Sequence, residues 1–140
     1  ERSEPETYLP AIETTTTRRA TDQEFRQIVL DRYDHECIIT GLGDPRLLEV
    51  AHIVPWAENQ ELGADPENAL VLNPLHHKAY DRGLFLIDRE YVIHVAPRID
   101  DVYLESQLVS HDGESIGVHN DAKPNREYLK RRNQEIIWWE

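Results

Sequence analysis

The rhythm of apolar and polar residues changes several times along this chain, and each change marks an element. Phe25, Ile28, Val29 and Tyr33 fall at helical spacing and put one apolar face on a helix. Thr21-Asp22-Gln23-Glu24 starts it with a Thr cap and a Glu at the third helical position, the signature of a capping box. CIIT, beginning at Cys37, reads as a strand ended by the turn residues of GLGDP. Leu47 to Val54 is extended and Ala69 to Leu72 is a short strand. The loop between them, broken by Pro55, Gly63 and Pro66, is too long for a hairpin turn and is expected to serve function. Asn73 and Pro74 suit the cap and first position of a helix, PLHHKAYDR, that Gly83 stops.

Beyond it, LFLID and YVIHV flank Arg89-Glu90 as a hairpin. Residues 98–120 are mixed and polar, with HDGES as a turn between short strands. Pro124 opens a last helix, NREYLKRRNQEII, with Tyr128, Leu129, Ile136 and the stem of Arg132 inward. Residues 1–20 lack periodicity and read as a linker or flexible arm. One α+β domain over residues 21–140 is expected, with its core motif at 47–83.

Composition narrows the classes of function. No apolar run reaches membrane-spanning length and no signal-peptide pattern opens the chain. Met is absent throughout, so a processed product or a domain of a longer protein is expected. The single cysteine, Cys37, rules out an intrachain disulfide and a four-cysteine zinc site. That fits a cytoplasmic chain, and any metal must rest on histidine and carboxylate. A net charge of −12 argues against a polyanion partner unless a companion domain supplies the affinity or the surface is adapted to high salt.

The candidate chemistry lies between Leu48 and Asp81. His77 and Asp81 stand four apart on one helix face, where an imidazole and a carboxylate can meet a divalent cation and leave positions open. His52 closes the first apolar strand and has the chemistry of a general base near neutral pH. Asn68 precedes the second strand and can pin the loop or orient the imidazole. Each residue alone is explained as well by packing or a surface hydrogen bond. The signal is their order and intervals.

This ordered set resembles the HNH endonucleases, whose ββα-metal motif carries a His on its first strand, an Asn before its second and a metal-binding His on its helix. CIITGL, LEVAHIVPW and ENALVLNPLHHKAYDRGLFLID are similar to the HNH domains of restriction-type proteins, and the flanking helices FRQIVLDRY and REYLKRRNQEII extend the likeness. The resemblance implies a ββα core with an N-terminal helix, an added β-hairpin and a C-terminal helix. It implies His52 as general base, Asn68 as the middle Asn and His77 as metal ligand. Asp81 stands where some members, the colicin nucleases among them, have a further metal-binding His. His76 is a rival to His77, but the intervals from Asn68 and to Asp81 favour His77.

One position departs from the pattern. Many members place an Asp or His ligand just before the base, and here that residue is Ala51; Glu49 is a candidate substitute. The implied activity is DNA phosphodiester hydrolysis with one divalent ion, Mg2+ foremost and Mn2+, Ni2+ or Zn2+ as alternatives. DNA would be recognised by a separate domain or subunit, and a homodimer is compatible with cutting both strands. Lys78, Arg82, Lys123, Arg126, Lys130 and Arg131 are candidates for backbone phosphates, with solvated helix charge as the equal alternative; Arg132 belongs to the same basic group. The rival functions are a silent interaction domain that keeps the fold and an RNA-cleaving toxin. His35, His94, His111 and His119 receive no role.

Overall fold

The first helix forms as its cap dictates. In the computed structural model, which describes residues 21–55, 60–118 and 122–139, helix α1 spans Asp22–Arg32 and Thr21 and Glu24 close a reciprocal capping box. Such a cap is worth about 1 kcal/mol. Its inner face is not quite the expected one: Val29, Leu30 and Tyr33 are buried, while Ile28 is exposed. The expectations for residues 1–20 and for His119 lie outside the described residues.

CIIT forms a closed turn and no strand. The Cys37 amide donates to Leu42 O and the Gly41 amide to Cys37 O, with Gly41 at φ +82°, so the segment folds back on itself. Only the Ile38 amide reaches the neighbouring strand, donating to Val71 O at 3.0 Å. The β-branched residues that suggested a strand are instead plugs, with Ile38 in the core.

Strands β1 (Glu49–His52) and β2 (Ala69–Leu72) pair antiparallel, with Ala51 opposite Leu70 and His52 opposite Ala69. All four β2 residues are buried, so this strand sits at the centre of the motif. Each such Leu or Val side chain contributes about 1.5–3 kcal/mol of burial. Tyr33 Oη donates to Ala69 O at 2.8 Å and ties α1 to β2. The connection between the strands contains a short helix, α2 (Gln60–Gly63), and a 3-10 turn at Pro66–Asn68 capped by Asp65.

Helix α3 runs over Pro74–Asp81, capped by the Asn73 side chain, which accepts from the His76 amide at 2.8 Å. Gly83 ends it at φ +71°, and an added Cβ there would also meet Ile136 Cδ1 at 3.2 Å. Strands β3 (Phe85–Ile87) and β4 (Ile93–Val95) form the expected hairpin.

Residues 98–120 hold a helix that periodicity did not reveal. Asp101 caps α4 (Val102–Val109), accepting from the Leu104 amide. Val102, Tyr103 and Val109 are exposed and only Leu108 is buried, which scrambles the apolar pattern. HDGES is a turn, but it links α4 to an isolated bridge between Val92 and Ser115 and not two strands.

The last helix, α5 (Arg126–Asn133), is shorter than the expected run to Ile137. It begins at Asn125, whose side chain accepts from the Glu127 and Tyr128 amides. The Ile136 amide returns to Asn133 O, and Trp138 Nε1 donates to Gly83 O at 2.9 Å, so the end of the chain turns back onto the α3 terminus. As expected, Leu129 is buried, and Arg132 lies partly inward, its guanidinium stacked on the Tyr80 ring and bonded to Tyr80 O. The ββα-type core, β1–β2 packed with α3, is thus flanked by helices at both ends and by the second hairpin. Among the described residues no helix is long and apolar enough to cross a membrane.

Candidate active site on the ββα core

Strand alternation places Val50 and His52 on one face of β1 and Glu49 and Ala51 on the other. His52 is half-buried and stacks flat on Phe25 of α1, ring centroids 5.6 Å apart. Its Nε2 lies 3.1 Å from Gly63 O. A carbonyl oxygen only accepts, so Nε2 carries the proton and the lone pair of the neutral ring sits on Nδ1. Burial lowers the His52 pKa below the ordinary imidazole value; the bond to Gly63 O opposes this and the charge of His77 adds to it. The result is an imidazole that is neutral at neutral pH, the protonation state a general base needs.

Asn68 is fully buried and spends its side chain on the loop, not on the imidazole. Its Oδ1 accepts from the Val54 amide at 2.9 Å, and its Nδ2 donates to Val54 O and Leu62 O at 3.0 Å each. These bonds fix the segment after His52 and the residue before Gly63. Asn68 therefore sets the carbonyl that orients His52. Helix α5 buttresses the same turn: Tyr128 Oη donates to Asp65 at 2.7 Å and the Asn125 amide donates to Glu67 O at 3.0 Å.

The two adjacent histidines of α3 have different fates. His76 is 1% exposed, with Nδ1 at 3.1 Å from Asn73 Oδ1 and Nε2 at 3.2 Å from Gln107 O. It is a packing residue that joins α3 to α4. His77 faces outward on the other side, with Nδ1 2.6 Å from Glu49 Oε1 and Nε2 3.5 Å from Asp81 Oδ2.

The second separation is long for a hydrogen bond. It is close to what two ligand atoms on one ion would show, since atoms about 2.1 Å from a shared cation lie about 3.0–3.4 Å apart. The donor types, one imidazole nitrogen and one carboxylate oxygen, suit a divalent ion, and the partial exposure of both side chains leaves room for water and phosphate. His77 and Asp81 thus fit a cation held by two protein ligands. Among the described residues no group of three or more His, Cys, Asp or Glu side chains gathers as a metal cluster. Ala51 is buried in the core and offers nothing.

Residues 37–88 match the family model described as HNH endonuclease. Over this segment the chain is similar to the HNH endonucleases. No curated protein matches the chain. Among solved structures, a protein titled "Modification dependent TagI restriction endonuclease" is similar in fold, with a TM-score of 0.60 at 16% identity. The likeness covers 79% of this chain and 36% of that one, so the chain spans about a third of that enzyme's length. The matched segment contains His52, Asn68, His77 and Asp81.

The basic residues around the HNH segment divide into two groups. Arg126 pairs with Glu90 at 3.2 Å, and Lys123 Nζ lies 5.0 Å over the Tyr91 ring. Both already hold the turn between β3 and β4. Lys78, Arg82, Lys130 and Arg131 are exposed, and none makes an ion pair among the described residues. Arg82 and Arg131 also line a cleft of about 630 Å³ together with Asp81, Val54 and Pro55. That cleft runs from Asp81 toward the end of α5. Sequence spacing did not show it, because it forms only where the ends of α3 and α5 meet.

Proposed function

We propose that this chain is the cleavage module of a metal-dependent endonuclease that hydrolyses DNA phosphodiester bonds, within a restriction or defence protein. The observation that carries the reading is the joint placement on one ββα unit of a neutral, oriented His52 and an outward pair, His77 and Asp81, at cation-sharing distance.

His52 takes a proton from water through Nδ1 as the water oxygen attacks phosphorus in line. The P–O3′ bond breaks and the 3′-oxygen leaves with the electron pair. The Gly63 carbonyl, set by Asn68, stabilises the imidazolium that forms and holds its ring in place. A divalent ion bound between His77 and Asp81 would supply positive charge to the phosphoryl and leaving oxygens. Mg2+ is the foremost candidate, with Mn2+, Ni2+ and Zn2+ as alternatives. Arg82 and Arg131 extend the site along the cleft and suit a flanking phosphate. A separate domain or subunit would choose the target.

Plasmid nicking across divalent ions and salt concentrations tests the proposal. Wild-type protein should nick DNA only with metal, and His52→Ala should lower the rate by about 10²–10⁴-fold, the usual range for a general base. Metal-independent or absent nicking, or an unimpaired His52→Ala, would sink it. The rival is a silent interaction domain; it draws on Ala51 and the two-ligand cation site, and predicts binding without cleavage. An RNA substrate in parallel separates the toxin reading.

A further inference from the structure

We propose that Glu49 is a positioning residue for the cation site: it fixes the tautomer and ring orientation of His77 and does not itself bind the ion. The inference rests on the reading of His77 and Asp81 as the cation's two ligands. It replaces the expectation that Glu49 stands in for the ligand missing at Ala51.

The geometry separates the two roles. Glu49 Oε1 lies 2.6 Å from Nδ1 of His77, a strong hydrogen bond, whereas Asp81 faces the opposite ring nitrogen, Nε2, at 3.5 Å. A carboxylate only accepts, so Nδ1 carries a proton, and the opposite nitrogen, Nε2, is the one turned toward Asp81. Nε2 and the Asp81 oxygen then face one another at cation-sharing distance. Glu49 and Asp81 are on opposite sides of one imidazole and cannot meet the same ion through it. A carboxylate on the far nitrogen is also what metal-binding histidines generally need, since it orients the ring and raises its basicity.

The strand explains why Glu49 has this place. Position 51 points into the core, where Ala51 is 1% exposed and a carboxylate would be buried. Period-two alternation brings the next side chain on that face, Glu49, to the edge of β1, opposite Leu72 and just before α3 begins. There it is half-exposed and spans from β1 to the outward face of α3.

Nitrogen NMR of histidine-labelled, metal-free protein reads the tautomer directly, and calorimetry with Zn2+ or Mn2+ alone reads affinity. Wild type should show His77 protonated at Nδ1. Glu49→Ala should lose that preference and weaken cation binding about 10–100-fold. Glu49→Gln, which keeps an acceptor oxygen, should restore the tautomer and most of the affinity, a rescue that also guards against misfolding of the alanine variant. An unchanged tautomer in Glu49→Ala overturns the proposal, as does a Glu49→Gln that binds metal as weakly as Glu49→Ala with the tautomer intact, which would make Glu49 a ligand. The tautomer result stands even if wild type proves not to cut DNA, so failure of this inference and failure of the nuclease reading are told apart.

Discussion

His77 lies 2.6 Å from Glu49 and His94 lies 2.7 Å from Asp88, so by distance the two pairs are nearly equivalent. What surrounds them differs. Both oxygens of Asp88 are committed: Oδ1 accepts from the Glu90 and Val92 amides at 2.8 and 3.0 Å, and Oδ2 from His94. Burial raises the Asp88 pKa, but the hydrogen bonds from His94 and those two amides outweigh it and leave the carboxyl below its ordinary value. The His94 ring then packs on Trp139, centroids 4.6 Å apart. That pair closes a hairpin. Around His77, in contrast, a second carboxylate stands off the free side of the ring at a distance no hydrogen bond requires. A His–carboxylate contact therefore says little by itself. What the other ring nitrogen faces decides whether the pair is structural or can hold a ligand.

Deleting each histidine in turn separates the two pairs. His77→Ala should abolish detectable Zn2+ or Mn2+ binding by calorimetry and stop nicking. His94→Ala should bind metal with wild-type affinity while its stability in urea unfolding falls by about 1–3 kcal/mol, because the Asp88 turn is deprived of a charge-assisted bond. Equal impairment of metal binding in both variants would erase the distinction.

Acid should also separate the two halves. Burial lowers the pKa of His52, with the Gly63 carbonyl opposing, and of His76, with the Gln107 carbonyl opposing. A histidine whose folded pKa lies below its unfolded value of about 6.5 takes up its proton more readily when unfolded. The stability tied to it is whole above that pH and is lost as pH falls through the folded pKa. Asp88, depressed below its unfolded value of 3.8, keeps its contribution above that pH and loses it only as pH falls through a still lower folded pKa. Hydrogen exchange near pH 5 should therefore show amides around Ile53, Val54 and α3 losing protection while the Asp88 turn holds. Uniform deprotection across both halves would contradict the assignment.

The smallest expected effect concerns the exposed arginines of the cleft. In a catalytically inactive His52→Ala background, replacing Arg82 and Arg131 with Ala should reduce the slope of log affinity for duplex DNA against log salt. The expected reduction is about 0.9 for each phosphate that is no longer neutralised. The matching change at Arg126, which is spent on Glu90, should leave the slope alone.

Much of the fold was legible because local chemistry announced it. The Thr21 capping box, the Asn73-Pro74 start and Gly83 stop of α3, and the β3–β4 hairpin all stand as their residues suggested. The errors share one physical cause. CIIT has strand-forming side chains, but turn hydrogen bonds to Leu42 and Cys37 claim its backbone. Helix α4 has a cap and turns only Leu104 and Leu108 inward, while Val102, Tyr103 and Val109 remain exposed and blur the period. In both places tertiary packing overrode, or failed to imprint, a periodic pattern.

At the candidate site the division is similar. Residue order alone singled out His52, Asn68, His77 and Asp81, because helical and strand periods constrain which side chains can share a face. It could not tell His76 from His77 by chemistry; burial against Asn73, Gln107 and Phe85 did that. Nor could it say whether Asn68 grips the loop or the imidazole, or what Glu49 does in place of a ligand at Ala51. Those answers depend on which atoms meet across β1, β2 and α3. Spacing along a chain fixes faces and intervals, whereas the choice of hydrogen-bonding partner is made only when separate elements pack.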